Sequence, residues 1–279
     1  MRVGHPVRAD LRQSGHQFLN NMSRPRTNRS HRSPMSMLRH PILVPALLVS
    51  LCLMVVVALI GLPLPVAVVI GVLVGTGITA MVARRAEGML RRTIGARLAH
   101  AGEFPRLHNT VDGLCLTHGI ERPDVFVLDS PAGNALAMAG REGASIVLTT
   151  GAADRLTLVE LEALVAHLLV RCADDELRGE TTTVALDRFP SVGWGLGGFG
   201  RSAADGPDRM VQTDFDGADL TRFPPGMQEA LRGLSDLGAA VDAPASTARL
   251  WLLQPDGRTD VATADHPTVD VRIAALAER

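Results

Sequence analysis

The sequence predicts a mainly helical α+β protein in which an N-terminal transmembrane helical hairpin precedes a domain with a small β-sheet. Three observations support this prediction. The 279 residues are 46% hydrophobic but only 3% aromatic, a composition typical of aliphatic helices. Two long uncharged runs follow a basic arm. Beyond them, short β-branched segments alternate with longer stretches that have helical periodicity.

The arm comprises residues 1–40 and carries eight arginines against Asp10, a net charge of +7. Because it lacks apolar periodicity, it is predicted to be disordered. Three interpretations remain open. The first is a solvated tail. The second is a segment that contacts anionic lipid headgroups, with a gain of roughly 1 kcal/mol per arginine near the surface. The third is a protein that begins at Met35 or Met37.

The hairpin is predicted over residues 41–83, with spans at 42–62 and 64–82 that contain no charged residue. At about 1.5 Å per residue, each span is long enough to cross a hydrocarbon core of about 30 Å. A short turn around Gly61 and Pro63 joins them. The hairpin makes the lipid bilayer a predicted partner.

Arginines lie at both outer ends of the hairpin. Residues 84–97 carry five arginines against Glu87, a net charge of +4. Under the positive-inside rule, both ends are expected in the cytoplasm. We therefore predict a multi-pass cell-membrane protein whose C-terminal domain, residues 84–279, is cytoplasmic. A cleaved signal peptide is disfavoured because the first run is long, begins far from Met1 and is followed at once by another.

The three cysteines, Cys52, Cys115 and Cys172, have no paired spacing. The sequence therefore predicts neither a disulfide framework nor a cysteine zinc site. This usage agrees with a reducing cytoplasmic location.

The domain is predicted to begin with helices and continue with a small sheet. Gly140 and Gly143 mark a hairpin turn between two of its strands. Helices are expected at residues 84–101 and 105–117, and strands at 124–128, 135–139 and 145–150.

A capping box of Thr157 and Glu160 predicts the start of a helix that ends near residue 176. A glycine-rich stretch, residues 179–208, is predicted to be a loop. Further helices are expected at residues 207–220, 225–240, 247–253 and 269–278.

The central helix contains a degenerate metal motif. A zinc-peptidase helix needs His-Glu-x-x-His, in which both histidines bind Zn²⁺ and the glutamate is the general base. Here His167 stands at the first ligand position, Leu168 at the base position and Arg171 at the second ligand position. Neither replacement can perform the original role, since leucine has no acid–base group and a guanidinium has no lone pair to offer.

Seven phrases in order resemble the HtpX-type membrane-bound zinc metallopeptidases, relatives of the CAAX prenyl protease. The resemblance covers roughly residues 100–279. The phrases are PRLHN (105–109), GIERP (119–123), GNALA (133–137), LTTG (148–151), ELEALVAH (160–167), LTRFPPG (220–226), and HPT (266–268) with RIAAL (272–276).

The resemblance implies a zincin-like domain and a third ligand position, a glutamate four residues before a retained aspartate. These two positions hold Met210 and Asp214. One ligand of three therefore survives, and His167 beside a guanidinium and a thioether does not suit Zn²⁺. We expect no bound metal or other cofactor and no catalytic residue.

Two further interpretations concern the altered site. A new metal site of His167, Asp174, Asp214 and His266 is conceivable, but a structural histidine and a solvated helix end explain these residues more simply. We also hypothesise that Arg171 replaces the metal as the ionic partner of Asp214.

The family resemblance places Asn134, Ala135 and Leu136 on a substrate-side edge strand, where a peptide could add by β-augmentation. For His266, which lies in the family's His-Pro phrase, it leaves two interpretations open, a pocket residue and inherited packing. We therefore predict a pseudoprotease that binds or regulates polypeptides or active membrane proteases, with no nucleic-acid partner. The alternatives are an active membrane metalloendopeptidase with a non-standard metal site and a purely structural membrane protein.

Overall fold

The computed structural model describes residues 50–52, 54–57, 63–187 and 207–279. The basic arm and most of the first predicted span lie outside these residues. The described elements are α1 (Leu64–Ile94), β1 (Arg97–Leu98), α2 (Pro105–His118), β2 (Asp124–Leu128), β3 (Ala135–Ala139), β4 (Ala144–Thr149), α3 (Thr150–Arg155), α4 (Leu158–Cys172), α5 (Leu177–Leu186), α6 (Pro207–Thr221), α7 (Pro224–Asp236), a 3₁₀ helix (Ala245–Leu250) and α8 (Val269–Ala277). The predicted mainly helical α+β class is confirmed.

The sheet has four strands in the order β1-β2-β4-β3. β2 pairs with β4 in parallel, whereas the β1–β2 and β3–β4 pairs are antiparallel. The predicted hairpin between β3 and β4 is confirmed, and Gly140 N–H donates to Gly143 O across it at 2.8 Å. β1 was not predicted because two residues are too few to show a period.

Helix α1 joins the second predicted span to the domain without a break. It ends at Gly95, whose φ of 73° is left-handed, and therefore does not reach residue 101 as predicted. Its second half buries Val82, Ala86, Leu90 and Ile94 at intervals of four residues.

The first half of α1 exposes large apolar side chains instead: Val66, Val68, Val69, Val72, Leu73, Val74, Ile78 and Met81. By length and composition, the stretch Val68–Ile94 could cross a membrane. Only 18% of its most apolar 18-residue segment is buried within the protein. These features support association with a membrane.

Helix α4 forms the centre of the domain. Its predicted capping box is confirmed, since Thr157 N–H donates to Glu160 Oε2 at 2.6 Å and the Thr157 side chain accepts from Glu160 N–H. The helix ends at Cys172, four residues earlier than predicted. It is buried on nearly every side, as expected of a core helix that is apolar all round.

The predicted loop at residues 179–208 is wrong in its first part, because α5 extends to Leu186. Thr181, Thr182 and Thr183 donate their hydroxyls to carbonyls four residues earlier, at 2.8 to 2.9 Å. These bonds satisfy buried polar groups within the helix. Residues 188–206 lie outside the described residues.

Candidate functional site

His167 lies in the middle of α4 and is 1% exposed. Helix α6 crosses it closely at Gly217, where an added Cβ would lie 3.0 Å from both the Cα and the N of His167. Because glycine has no side chain, the two backbones can approach at this point. The crossing places Asp214, one turn earlier on α6, against the imidazole.

His167 Nδ1 lies 2.9 Å from Asp214 Oδ1. This distance is within the range of a hydrogen bond between the imidazole and the carboxylate. Burial lowers the pKa of His167, and the nearby Asp214 carboxylate offsets this effect only partly. The folded protein therefore favours a neutral imidazole.

The principal partner of Asp214 is Arg272 on α8. Arg272 Nε and Nη2 donate to the two carboxylate oxygens, both at 2.7 Å, and neither side chain is exposed. Burial by itself would raise the pKa of Asp214, but the Arg272 guanidinium outweighs burial and holds the pKa below its usual value. Asp214 is therefore a paired carboxylate.

The hypothesis that Arg171 pairs with Asp214 is wrong. Arg171 Nη2 donates instead to Glu180 Oε2 at 2.7 Å, and Arg272 occupies both oxygens of Asp214. Arg171 lies one turn beyond His167, where α5 brings Glu180 within reach. The pairing was missed because Glu180 falls in the predicted loop.

Arg171 belongs to a larger set of paired charges between α4, α5 and α6, which we call the charge network. Arg209, at the start of α6, contacts the carboxylates of Asp174 and Glu180 and lies 3.3 Å from Glu176. The network comprises Arg171, Asp174, Glu176, Glu180 and Arg209. Asp174 is therefore partly buried and paired, whereas Asp175 and Glu176 are exposed, as predicted for a solvated helix end.

Electrostatic contacts in the network outweigh the cost of burial. Burial opposes the charged forms of both Asp174 and Arg209. Nevertheless, the hydrogen bond from Arg209 holds the pKa of Asp174 below its usual value, and Glu180 with Asp174 raises the pKa of Arg209. Asp174 and Arg209 are therefore charged at neutral pH.

The donor set does not fit the zinc that the family resemblance implies. The three ligand positions carry an imidazole, a guanidinium and a thioether, from His167, Arg171 and Met210. Leu168, at the general-base position, is 1% exposed and belongs to the apolar core. Zn²⁺ requires deprotonated nitrogen, sulfur or oxygen ligands, and this set supplies one.

The alternative set of His167, Asp174, Asp214 and His266 is not gathered into a metal site. Asp174 contacts Arg209 and Asp214 contacts Arg272, while His266 Nε2 donates to Trp251 O at 2.8 Å. Within the described parts of the chain, no group of three or more His, Cys, Asp or Glu side chains could hold a metal ion.

Asn134 is a buried structural junction. Its Nδ2 donates to Ala239 O at 2.9 Å and Leu253 O at 3.0 Å. Its Oδ1 accepts from Ala135 N–H at 2.9 Å and Leu253 N–H at 3.1 Å. These four bonds satisfy the amide and tie the start of β3 to the segment after the 3₁₀ helix.

That segment, residues 251–253, covers the outer edge of β3. Leu252 N–H donates to Ala135 O at 2.8 Å, and Trp251 forms a bridge with Leu136. The helix predicted at 247–253 therefore ends at Leu250, where an extended segment begins. The structure contradicts an open peptide-binding edge at Asn134, Ala135 and Leu136, since all three residues are buried and already bonded.

His266 and Arg272 hold the same segment from its other side. His266 donates to Trp251 O at 2.8 Å and Arg272 Nη1 donates to Leu252 O at 2.8 Å. Burial lowers the pKa of His266. Of the two interpretations of His266, these contacts favour packing within the structural frame over a pocket residue. Arg272, which the sequence prediction missed, connects that frame to Asp214.

No family model and no solved structure matches the chain. Curated proteases do match it. The "Protease HtpX homolog" of Caldanaerobacter subterraneus is 28% identical over 225 residues, which cover 66% of this chain and 75% of the relative. The homologue from Dictyoglomus thermophilum is 26% identical over 229 residues, 69% of this chain and 75% of the relative. That from Ligilactobacillus salivarius is 24% identical over 250 residues, 75% and 85% of the two chains.

These matches, together with the altered motif on α4, define the class: the chain is a relative of proteases. The matched relatives are HtpX-type proteases, and the chain is similar to that family. The resemblance predicted from the sequence phrases is therefore confirmed.

Proposed function

We propose that this protein is a membrane-anchored HtpX-type metallopeptidase homologue that has lost zinc binding and proteolysis. It acts by binding or regulating proteins at the membrane, with active membrane proteases as the favoured partners. A transmembrane hairpin at 42–62 and 64–82 holds its zincin-like domain at the cytoplasmic face. No general base and no activated water contribute to this role.

The observation that carries the proposal is that side chains unable to bind zinc stand at two of the three ligand positions. Arg171 stands at the second ligand position and is paired with Glu180. Met210 stands at the third ligand position. A zinc ion would find one suitable ligand, His167, and the buried guanidinium of Arg171 would repel it.

The hairpin is supported by contacts on α1. Helical residues at 50–52 and 54–57 lie against it, and a Cβ on Gly71 would come within 2.7 Å of Ser50 O and 3.0 Å of Met54 N. Gly75, one turn on, also adjoins Ser50. Small residues four apart allow this close approach of helices in membranes.

The loss of proteolysis is tested with the full chain in detergent or lipid nanodiscs. An unfolded, fluorescently labelled protein serves as the substrate, with zinc and then with a chelator added. We expect the same low background for wild type and His167→Ala under both conditions. Chelator-sensitive cleavage that His167→Ala abolishes would overturn the proposal and establish an active peptidase with a non-standard metal site.

The binding role is tested by cross-linking in native membranes, followed by identification of the captured proteins. Because residues 251–253 cover the edge of β3, the partner is expected to contact a different surface. Capture of an active membrane protease at a defined residue supports the proposal. Absence of a reproducible adduct, with the chain present at normal abundance, supports a purely structural role instead.

A further inference from the structure

The domain core begins where the apolar exposed part of α1 ends. Met81 is 49% exposed, whereas Val82, the next residue, is 6% exposed and packs into the domain. If α1 spans the bilayer as proposed, no spacer separates the domain from the membrane surface. Elements packed against the next turns of α1 must then lie close to the lipid headgroups.

The turn between β3 and β4, residues 140–143, is one of these elements. Ser145 Oγ donates to Glu87 Oε1 at 2.5 Å. Gly140 lies so close to the Glu87 carboxylate that a Cβ there would overlap it. Glu87 is five residues beyond Val82, about 7 Å along the helix axis. The turn is therefore fixed within roughly one headgroup thickness of the membrane boundary.

The exposed charged side chains on the turn and on the neighbouring part of α1 are mostly basic. Arg84 and Arg85 on α1 and Arg141 on the turn are exposed. None of the three forms an ion pair with a carboxylate in the described parts of the chain. Glu142 is also exposed, and with it included the four side chains carry a net charge of +2.

We propose that Arg141, together with Arg84 and Arg85, binds the phosphate groups of anionic phospholipids and thereby docks the sheet against the membrane. Arginine is suited to this contact because its planar guanidinium donates two parallel hydrogen bonds to a phosphate. The negative potential of an anionic leaflet attracts basic groups at this distance. The inference rests on the proposed membrane anchoring.

The test places a photoreactive amino acid at position 142 of the full chain, which is reconstituted in vesicles of phosphatidylcholine with or without phosphatidylglycerol. Illumination and mass spectrometry identify the lipid adducts. We expect a several-fold excess of phosphatidylglycerol adducts over phosphatidylcholine adducts at equal lipid amounts. Arg141→Gln should remove most of the excess, whereas the control Arg232→Gln, at an exposed arginine of α7, should preserve it.

Equal adduct yields from the two lipids, no lipid adduct, or an excess that Arg141→Gln leaves intact would each overturn the inference. Alkaline carbonate extraction of the same vesicles separates this failure from failure of the anchoring. A chain that remains in the membrane without lipid preference contradicts only the headgroup contact. A chain released by carbonate contradicts both proposals.

Discussion

Arg272 donates two parallel hydrogen bonds of 2.7 Å to Asp214, and both side chains are fully buried. Its remaining terminal nitrogen, Nη1, donates to Leu252 O, so one guanidinium joins α6, α8 and the segment that covers β3. His167 Nδ1 lies 2.9 Å from Asp214 Oδ1, the oxygen that also accepts from Arg272 Nη2. Arg272 therefore provides a structural cross-link that holds Asp214 against His167.

Arg272→Met is expected to destabilise the protein strongly. It leaves the Asp214 carboxylate buried and uncompensated, a loss of about 3–5 kcal/mol. Denaturant unfolding of the full chain in mild detergent measures the change in the free energy of unfolding. The matched control is Arg279→Met, because Arg279 also pairs with an aspartate, Asp219, but at an exposed position, where the loss should stay below about 1 kcal/mol. Equal losses for the two variants would contradict the role given to Arg272.

The charge network predicts coupling between Arg171 and Glu180. Because their contact is 2.7 Å long and mostly buried, Arg171→Gln and Glu180→Gln should not have additive effects. A double-mutant cycle on the free energy of unfolding should give a coupling of about 0.5–3 kcal/mol. The exposed pair of Arg97 and Glu103 is the control, with a coupling of about 1 kcal/mol or less. Additive effects at Arg171 and Glu180 would show that this ion pair does not stabilise the site.

Gly217→Ala should destabilise the protein although alanine is the better helix former. The added Cβ would lie 3.0 Å from two backbone atoms of His167, so α6 must move away from α4, and we expect a loss of about 1–3 kcal/mol. Gly113→Ala in α2 is the control, because an added Cβ there meets no atom within 4 Å, and it should stabilise by up to about 1 kcal/mol. The prediction fails if Gly217→Ala is also stabilising.

Stability is expected to fall as the pH drops below about 6.5, the usual pKa of histidine. Burial lowers the pKa values of both His167 and His266 in the folded state. The unfolded chain therefore takes up these protons first on acidification. Each imidazole contributes a slope of at most about 1.4 kcal/mol per pH unit, between the unfolded and the folded pKa.

The measurement is the free energy of unfolding between about pH 8 and pH 5. His167→Gln and His266→Gln should each remove part of the slope. The lowered pKa of Asp214 acts in the same direction at lower pH, because its stabilisation is lost only as the pH falls through its folded pKa. Unchanged slopes in both histidine variants would contradict the assignment.

Local signals in the sequence predicted much of the fold. The capping box of Thr157 and Glu160 is confirmed because it depends on residues three positions apart. The strands around Gly140 were predicted from short, apolar, partly β-branched segments and from turn chemistry. Helix α5 was missed because its threonines and Gly179 favour a loop in isolation, whereas burial and hydroxyl bonds to the preceding turn favour a helix.

The pairings in the site could not be predicted in the same way. Asp214 and Arg272 are 58 positions apart, and no local rule connects them. One signal was available: Arg272 lies on the buried face of α8 with Val269 and Leu276. An arginine on an apolar helix face requires a buried acidic partner. The sequence alone did not distinguish which arginine would pair with Asp214.

The central proposal is that this protein has lost zinc binding, because Arg171 and Met210 stand at two of the three ligand positions. Its most direct test is the zinc content of the full chain, purified in detergent at neutral pH after dialysis against zinc-containing and then zinc-free buffer. Inductively coupled plasma mass spectrometry should find zinc far below one atom per chain, in wild type and His167→Ala alike. One zinc atom per chain in wild type, removed by a chelator and absent from His167→Ala, would contradict the account.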